Sequence, residues 1–252
     1  MFDNYSTPEA FKEKNGYLID GVWYPRVTKI ISVKAKPALY YYYAEAPSFR
    51  AAQATTEKSA EEGTMVHEAA EAILLGENPD VPVIIRPAID AFRQFLSENN
   101  ILTNKEYIER RILSRDHRYA GTIDAMALIG GKFGVLDIKT SQAVYRDYDI
   151  QTSAYMEALK DEFETLQTRW ILRIDQTQTC LRCGATLRSK GGREKIKRGR
   201  SALCDNHEWS QMQGQVELQE RPYWRDDFEA FLGAKKLWEW ENSDWLKKVG
   251  YL

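Results

Sequence analysis

Residues 121–141 read GTIDAMALIGGKFGVLDIKTS. Two aliphatic, strand-forming runs flank Gly130-Gly131, a pair suited to the positive φ angles of a tight hairpin turn. Such a hairpin belongs inside a sheet, yet Asp124, Asp137 and Lys139 lie in its middle. With a two-residue loop, Ile129 pairs with Lys132 and Asp124 falls opposite Asp137, with Lys139 two residues further along the same face. Carboxylates so placed have Cβ atoms ~5 Å apart and repel by roughly 3 kcal/mol at an effective dielectric of ~20. One lysine offsets part of that, and a divalent cation between them would turn repulsion into ligation. A four-residue loop, GGKF, would instead set Asp124 opposite Lys139 as a plain cross-strand ion pair. Met126, Leu128, Phe133 and Val135 share the face in question, and burying three charges among them costs several kcal/mol unless something binds there.

The flanking pattern predicts one large α+β domain with a small insertion. YLIDGVWYP reads as a small hairpin around Asp20-Gly21, followed by a turn and a short helix or strand. Residues 37–76 are helix-rich and include four consecutive tyrosines, which cannot all face one way at helical spacing, so some reach solvent or a ligand. PAIDAFRQFLSENN (87–100) is amphipathic, with Ile89, Phe92, Phe95 and Leu96 on one side. Three antiparallel strands follow at about 106–114, 120–129 and 132–140, then a helix over 150–163. Strands over 168–174 and 214–221 would pair if residues 175–213 formed a projecting insertion. A last helix is anchored by Phe228, Phe231, Leu237 and Trp238. The expected architecture is an α/β sandwich around a mixed sheet, formed by residues 1–176 and 212–252, with 177–211 as an inserted module.

With a net charge of −2 over 252 residues, the chain as a whole has no field that would attract nucleic acid or an anionic membrane. The opening MFDNYSTPEAFKEK lacks the basic-then-apolar order of a signal peptide. No apolar run approaches the ~18 residues of a membrane span. Three cysteines gathered in one segment do not form a secreted disulfide framework. These features point to a soluble, cytoplasmic protein with no membrane partner.

Four short motifs occur in order: GTMVH ending at His67, GTID ending at Asp124, DIKT from Asp137, and QTSAY with Gln151 and Tyr155. Together they resemble the PD-(D/E)XK nuclease superfamily. The closest likeness is to its RecB-nuclease-like branch, which includes phage exonucleases, CRISPR-adaptation nucleases and the mitochondrial genome-maintenance exonuclease. The likeness covers roughly residues 20–175 and 214–245, and YPRVTKIISVKAKPAL also looks like phage members. It implies a restriction-endonuclease-like sheet. It also implies a Mg²⁺ or Mn²⁺ held by Asp124, Asp137, the Ile138 carbonyl and His67, the hard oxygens suiting either ion and the histidine favouring Mn²⁺. Lys139 would position or deprotonate water and offset developing charge. Gln151 would orient Lys139 or the scissile phosphate, and Tyr155 would touch the DNA backbone. Glu109 stands where many members have an acidic residue on the first strand, and is equally read as an exposed strand charge. His117 reads as a loop residue.

The cysteine segment follows Cys180-x2-Cys183-x20-Cys204-x2-His207, two tight donor pairs that suit a closed tetrahedral zinc site. Many relatives hold an iron–sulfur cluster with one cysteine near the N-terminus. This chain has no cysteine before Cys180 and a histidine as fourth donor, so zinc is expected, and its binding would drive folding of the segment. Between the donor pairs, Arg182 to Arg200 includes eight basic residues and one acidic. Arg188, Lys190, Arg193, Lys195, Lys197, Arg198 and Arg200 are therefore candidate contacts to DNA phosphates.

The expectation drawn from all this is a metal-dependent deoxyribonuclease leaving 5′-phosphates. It would be an exonuclease, or a nuclease with single-strand preference, of phage or prophage recombination or repair. A single-strand annealing protein is a partner by resemblance. The alternatives are a structure-specific endonuclease or end processor, and a non-catalytic zinc-ribbon DNA-binding protein on a nuclease scaffold.

Overall fold

In the computed structural model, which describes residues 5–199 and 204–252, the local signals build up in chain order. Thr7 caps the first helix, α1 (Pro8–Asn15), by accepting the Ala10 N–H, and Pro8 occupies the first turn. The hairpin β1 (Gly16–Ile19) and β2 (Val22–Pro25) turns at Asp20-Gly21, both at positive φ. A short α2 (Val27–Ile30) and a 3-10 turn follow, then α3 (Pro37–Glu45). Ser48 caps α4 (Phe49–Leu74), which at 1.5 Å per residue is about 39 Å long. After α5 (Arg86–Glu98) come β3 (Ile101–Ser114), β4 (Tyr119–Ile129) and β5 (Lys132–Lys139). The helix α6 (Arg146–Leu159) leads to β6 (Leu166–Thr179), β7 (Thr186–Lys190), β8 (Arg193–Lys197) and β9 (Gln213–Glu220). The helices α7 (Arg225–Glu241) and α8 (Ser243–Lys248) close the chain.

The architecture is α+β, with a large mixed sheet flanked by helices. Seven strands run β3-β4-β5-β6-β7-β8, with β9 also on β6. The β5–β6 pair is parallel and the others are antiparallel. A parallel pair needs a crossover, and α6 is that crossover. Alternate residues of β5 divide between two cores. Val135 packs with α1, α2, α6, α7 and α8, whereas Leu136 and Ile138 pack with α4 and α5. Arg169 of β6 is buried, donates to the Arg221 and Tyr223 carbonyls, and pairs with Asp227, fastening α7 to the sheet.

β6 exchanges partners along its length. It pairs with β9 from Trp170 to Thr177, then with β7 at Gln178 and Thr179. The insertion therefore grows from the end of a core strand, and it does not project as the sequence suggested. The β7–β8 hairpin lies back against α4: the Gly191 N–H donates to Glu62 Oε1 at 2.8 Å, and Arg188 Nε reaches both oxygens of Asp175 at 2.9 and 2.8 Å. Asp175 is buried, and its charge needs the arginine. Among the described residues, no helix is long and apolar enough to cross a membrane.

Candidate active site and metal centre

Gly130 and Gly131, at φ 58° and 80°, form the two-residue loop, and Ile129 pairs with Lys132. The ladder continues to Ala125↔Leu136; one step further, Asp124 is level with Asp137. There regular pairing stops. Asp124 Oδ2 accepts the Ile138 N–H at 2.6 Å, in place of a strand carbonyl. On the other side, Glu109 is level with Asp124, between the pairs Ile108↔Ala125 and Arg110↔Ile123, and has φ 49°. Ile112 and Ile123 pack in the first core, but Ile108 and Ala125 pack in the second. The two-residue alternation thus slips on both strands at Glu109 and Asp124, with the pairing register kept. Strict alternation would place both aspartates on the Met126–Val135 face. The slip instead turns Asp124 Oδ1 toward His67 of α4, 3.9 Å from its Nδ1.

Asp137 points into the layer under α6. It is 1 % exposed, and its Oδ1 accepts from Gln151 Nε2 at 3.2 Å. Gln151 also donates to the Tyr155 hydroxyl at 2.8 Å. Residues 151 and 155 share a helix face, so Tyr155 fixes Gln151 and Gln151 fixes Asp137. Tyr155 itself is 2 % exposed. A side chain so enclosed cannot meet a DNA backbone, and the contact expected from the sequence is replaced by a positioning role. Two motif glycines give room for this arrangement. A Cβ at Gly121 would lie 2.8 Å from Tyr155 Cε1, and one at Gly63 would lie 2.9 Å from Thr140 Oγ1.

Lys139 Nζ lies 2.7 Å from Asp137 Oδ2 and 5.0 Å from the centre of the Tyr148 ring. The ammonium is thus the partner of this buried oxygen. Burial pushes the Asp137 carboxyl up to about 6; Lys139 works against the rise and Asp124 adds to it. Burial also raises Asp124, against Lys139 and the Ile138 N–H. For Lys139 burial disfavours the charge, but the two aspartates outweigh it and its pKa rises, so it is an ammonium. His67 is lowered to about 4 by burial and by Lys139, and is neutral at pH 7 with a lone pair free to bind. Glu109 is raised to about 7 by partial burial, Asp124 and Glu71, which places it at the edge of the same acidic group.

Two desolvated carboxylates and a neutral imidazole are a donor set that fits a hard divalent cation. Among the described residues, however, His67, Asp124 and Asp137 are not drawn together as tightly as the cysteine cluster.

In that cluster the donor atoms of Cys180, Cys183, Cys204 and His207 all lie within 4.8 Å of one another. Cys180 Sγ is 4.0 Å from Cys204 Sγ, and Cys183 Sγ is 3.5 Å from His207 Nδ1. The knuckle closes through Gly184 N–H to the Cys180 carbonyl at 2.9 Å, and Trp209 stacks on the His207 ring. Burial opposes ionisation of Cys180, but the Cys183 N–H and His207 overcome it and lower the thiol to about 5. Cys204 is raised to about 11 by burial and by its sulfur neighbours. The group can hold a metal ion such as zinc.

Of the basic candidates, two are turned inward. Arg188 Nη2 and Lys190 Nζ donate to the Thr140 carbonyl at 3.0 and 2.7 Å, directly after Lys139. Burial, and then Arg188, lower Lys190 to about 8. Arg193 lies over the Tyr42 ring, and Lys195, Lys197 and Arg198 are exposed. Arg200 lies outside the described residues. His117 packs against Tyr119 and Phe228, 3.5 Å from Glu157 of α6. Sequence reasoning missed Tyr148, whose signal was its place one turn before Gln151, and the inward turn of Lys190, which depends on tertiary docking. No family model matches the chain, and a search of curated proteins finds none similar to it.

Proposed function

We propose that this chain is a divalent-metal-dependent nuclease that hydrolyses phosphodiester bonds in DNA. The observation that carries this reading is Asp137, a fully buried carboxylate paired with the Lys139 ammonium and level with a second desolvated aspartate. A protein core has little reason to bury two carboxylates beside one ammonium unless a further cation completes the group. Asp124, Asp137 and the Ile138 carbonyl would hold Mg²⁺ or Mn²⁺, with His67 as a nitrogen donor. The ion supplies Lewis acidity and a more acidic bound water.

The chain's own groups do the rest. Gln151 and Tyr155 keep Asp137 in one rotamer. Because Lys139 is an ammonium, its role is to orient the attacking water and neutralise charge on the phosphorane, not to accept the proton from that water. The sheet order and the ordered motifs support a restriction-endonuclease-like fold, and by that resemblance the products carry 5′-phosphates. Exonuclease action in phage or prophage recombination or repair, inside a bacterial cytoplasm and alongside a single-strand annealing protein, is the setting the resemblance favours. Zinc is the metal that best suits three thiols and an imidazole.

Labelled linear and circular DNA incubated with Mg²⁺, Mn²⁺ or EDTA tests the reading. Loss of DNA that EDTA and Asp137→Ala both abolish supports it, and loss of linear DNA alone indicates an exonuclease. Binding without turnover in every metal overturns it in favour of a non-catalytic DNA-binding protein.

A further inference from the structure

The helix α3, PALYYYYAE, has no buried residue. Its four tyrosines divide by role. Tyr42 donates to the Ala52 carbonyl at 3.2 Å, and Tyr43 packs on Phe49 with ring centres 5.2 Å apart, so this pair ties α3 to the start of α4. Tyr40 and Tyr41 stand outward, 62 % and 72 % exposed, and Phe49, on Tyr43, is 51 % exposed. Three large aromatic faces open to solvent on one short segment are costly for a chain with no use for them.

The surroundings are cationic. Arg193 stacks on Tyr42 with its guanidinium carbon 4.2 Å from the ring centre. It belongs to β8, a strand exposed at all five residues that also contains Lys195 and Lys197. Arg193 pairs in register with Lys190, across the Gly191-Gly192 turn, and Lys190 holds the Thr140 carbonyl next to Lys139. One hairpin tip thus touches the tyrosine helix on one strand and the candidate active site on the other. An open cavity of about 500 Å³ lies between the α3–α4 corner and this hairpin tip, lined by Tyr42, Pro47, Thr55 and Arg193, with Glu45 and Glu194 at its wall.

Stacking faces beside a run of positive charge suit an unpaired strand. Every base has a π-face to lay on tyrosine, and the sugar–phosphate chain follows the cations, whereas in a duplex the base faces are covered. We propose that Tyr40, Tyr41 and the Arg193–Lys195–Lys197 edge form a platform for single-stranded DNA, delivering it past the hairpin tip to the Asp124–Asp137–Lys139 site. The proposal deepens the nuclease reading and rests on it for the destination of the strand. The platform itself is tested without catalysis.

The test is fluorescence anisotropy of a labelled 20-nucleotide single strand, and of a blunt duplex of the same length, in EDTA. The single strand binds at least tenfold tighter than the duplex. Tyr40→Ala/Tyr41→Ala weakens single-strand binding about tenfold or more and leaves circular dichroism unchanged, since both side chains are outside the core. Arg193→Ala weakens binding and flattens its salt dependence. Equal affinity for duplex and single strand, or an unaltered double variant, overturns the platform. If the tyrosine variant instead dissociates a dimer on size exclusion, the surface is an interface between two copies and the proposal fails. A chain that binds single strands through these residues yet cleaves nothing in Mg²⁺ or Mn²⁺ keeps the platform and refutes the nuclease reading, so the two failures are told apart.

Discussion

Asp124 and Ile138 are joined by a side-chain-to-backbone hydrogen bond of 2.6 Å at the point where β4 and β5 stop exchanging strand hydrogen bonds. One carboxylate oxygen thus replaces a strand carbonyl, which leaves the other oxygen facing His67. Asp124→Ala should cost about 1–3 kcal/mol in stability, because a buried N–H loses its acceptor, and should abolish cleavage. Asp124→Asn keeps an acceptor and should lose cleavage with a smaller stability change. Urea denaturation alongside a nuclease assay separates the two effects; equal stability loss in both variants would contradict this account.

Lys139→Ala should retain DNA binding and lose cleavage by about a hundredfold or more. The ammonium sits on Asp137, and its loss leaves two neighbouring desolvated carboxylates without their cation. Unchanged turnover would remove the lysine from the mechanism.

The pH dependence of stability without metal has two opposing parts. Asp137 keeps its proton up to about pH 6 when folded, against an ordinary value of 3.8. Between those values the folded state binds more protons, so this group makes stability fall as pH rises. His67 titrates at about 4 when folded and ordinarily at 6.5, so there the unfolded state binds more protons and stability rises with pH. These two slopes oppose one another, and Glu109, raised from 4.5 to about 7, adds to the fall. In EDTA, Asp137→Asn should rise in stability from pH 4 to 6.5 relative to the native chain, by roughly 3 kcal/mol. His67→Gln should fall over the same interval by less, since solvent screens the partly exposed imidazole. Chemical denaturation at several pH values measures both, and curves parallel to that of the native chain would refute the assignment.

Metal analysis should find about one zinc per chain at the cysteine cluster, and none in Cys183→Ser. Stripping that metal should speed amide exchange in residues 186–197 and at Ser141, because Arg188 and Lys190 no longer hold the Thr140 carbonyl. Exchange in β4 should be unaffected. Iron with visible absorbance, or a hairpin indifferent to chelation, would contradict the prediction.

Gly121→Ala should destabilise the fold by about 1–3 kcal/mol, because its Cβ meets the Tyr155 ring at 2.8 Å. Tyr155→Phe should cost about 0.5–1.5 kcal/mol, because Gln151 loses the hydroxyl that fixes it. Thermal melts of the two variants test this, and a harmless Gly121→Ala would show that the ring has room to shift.

Much of the fold is legible in the sequence because its signals are local. Gly130-Gly131 marks the central turn, Asp20-Gly21 marks the first hairpin, and the spacing of Ile89, Phe92 and Phe95 marks α5. Gln151 and Tyr155 share a face by helical period alone. What escapes the sequence depends on long-range packing. The slip at Glu109 and Asp124 has no signature of its own, since alternation alone would place both aspartates on one face. The docking of Arg188 on Asp175 and of Lys190 on Thr140 joins residues far apart in the chain, so a run that reads as a free cationic loop is half consumed within the protein. Tyr155 has the same character: its motif position suggested the surface, and the packing of α6 on Gly121 encloses it.

The change of partner along β6 has a practical meaning for anyone reshaping this molecule. Thr177 and Gln213 face each other across antiparallel strands, so a short turn could splice them and the backbone would close without the intervening segment. The electrostatics would not close with it. Asp175 would be left in the interior without Arg188, and the peptide after Lys139 would lose both of its cationic tethers. Such a shortened chain should still assemble its sheet, with Arg173 alone left to face Asp175, yet be slack at the one loop where rigidity matters.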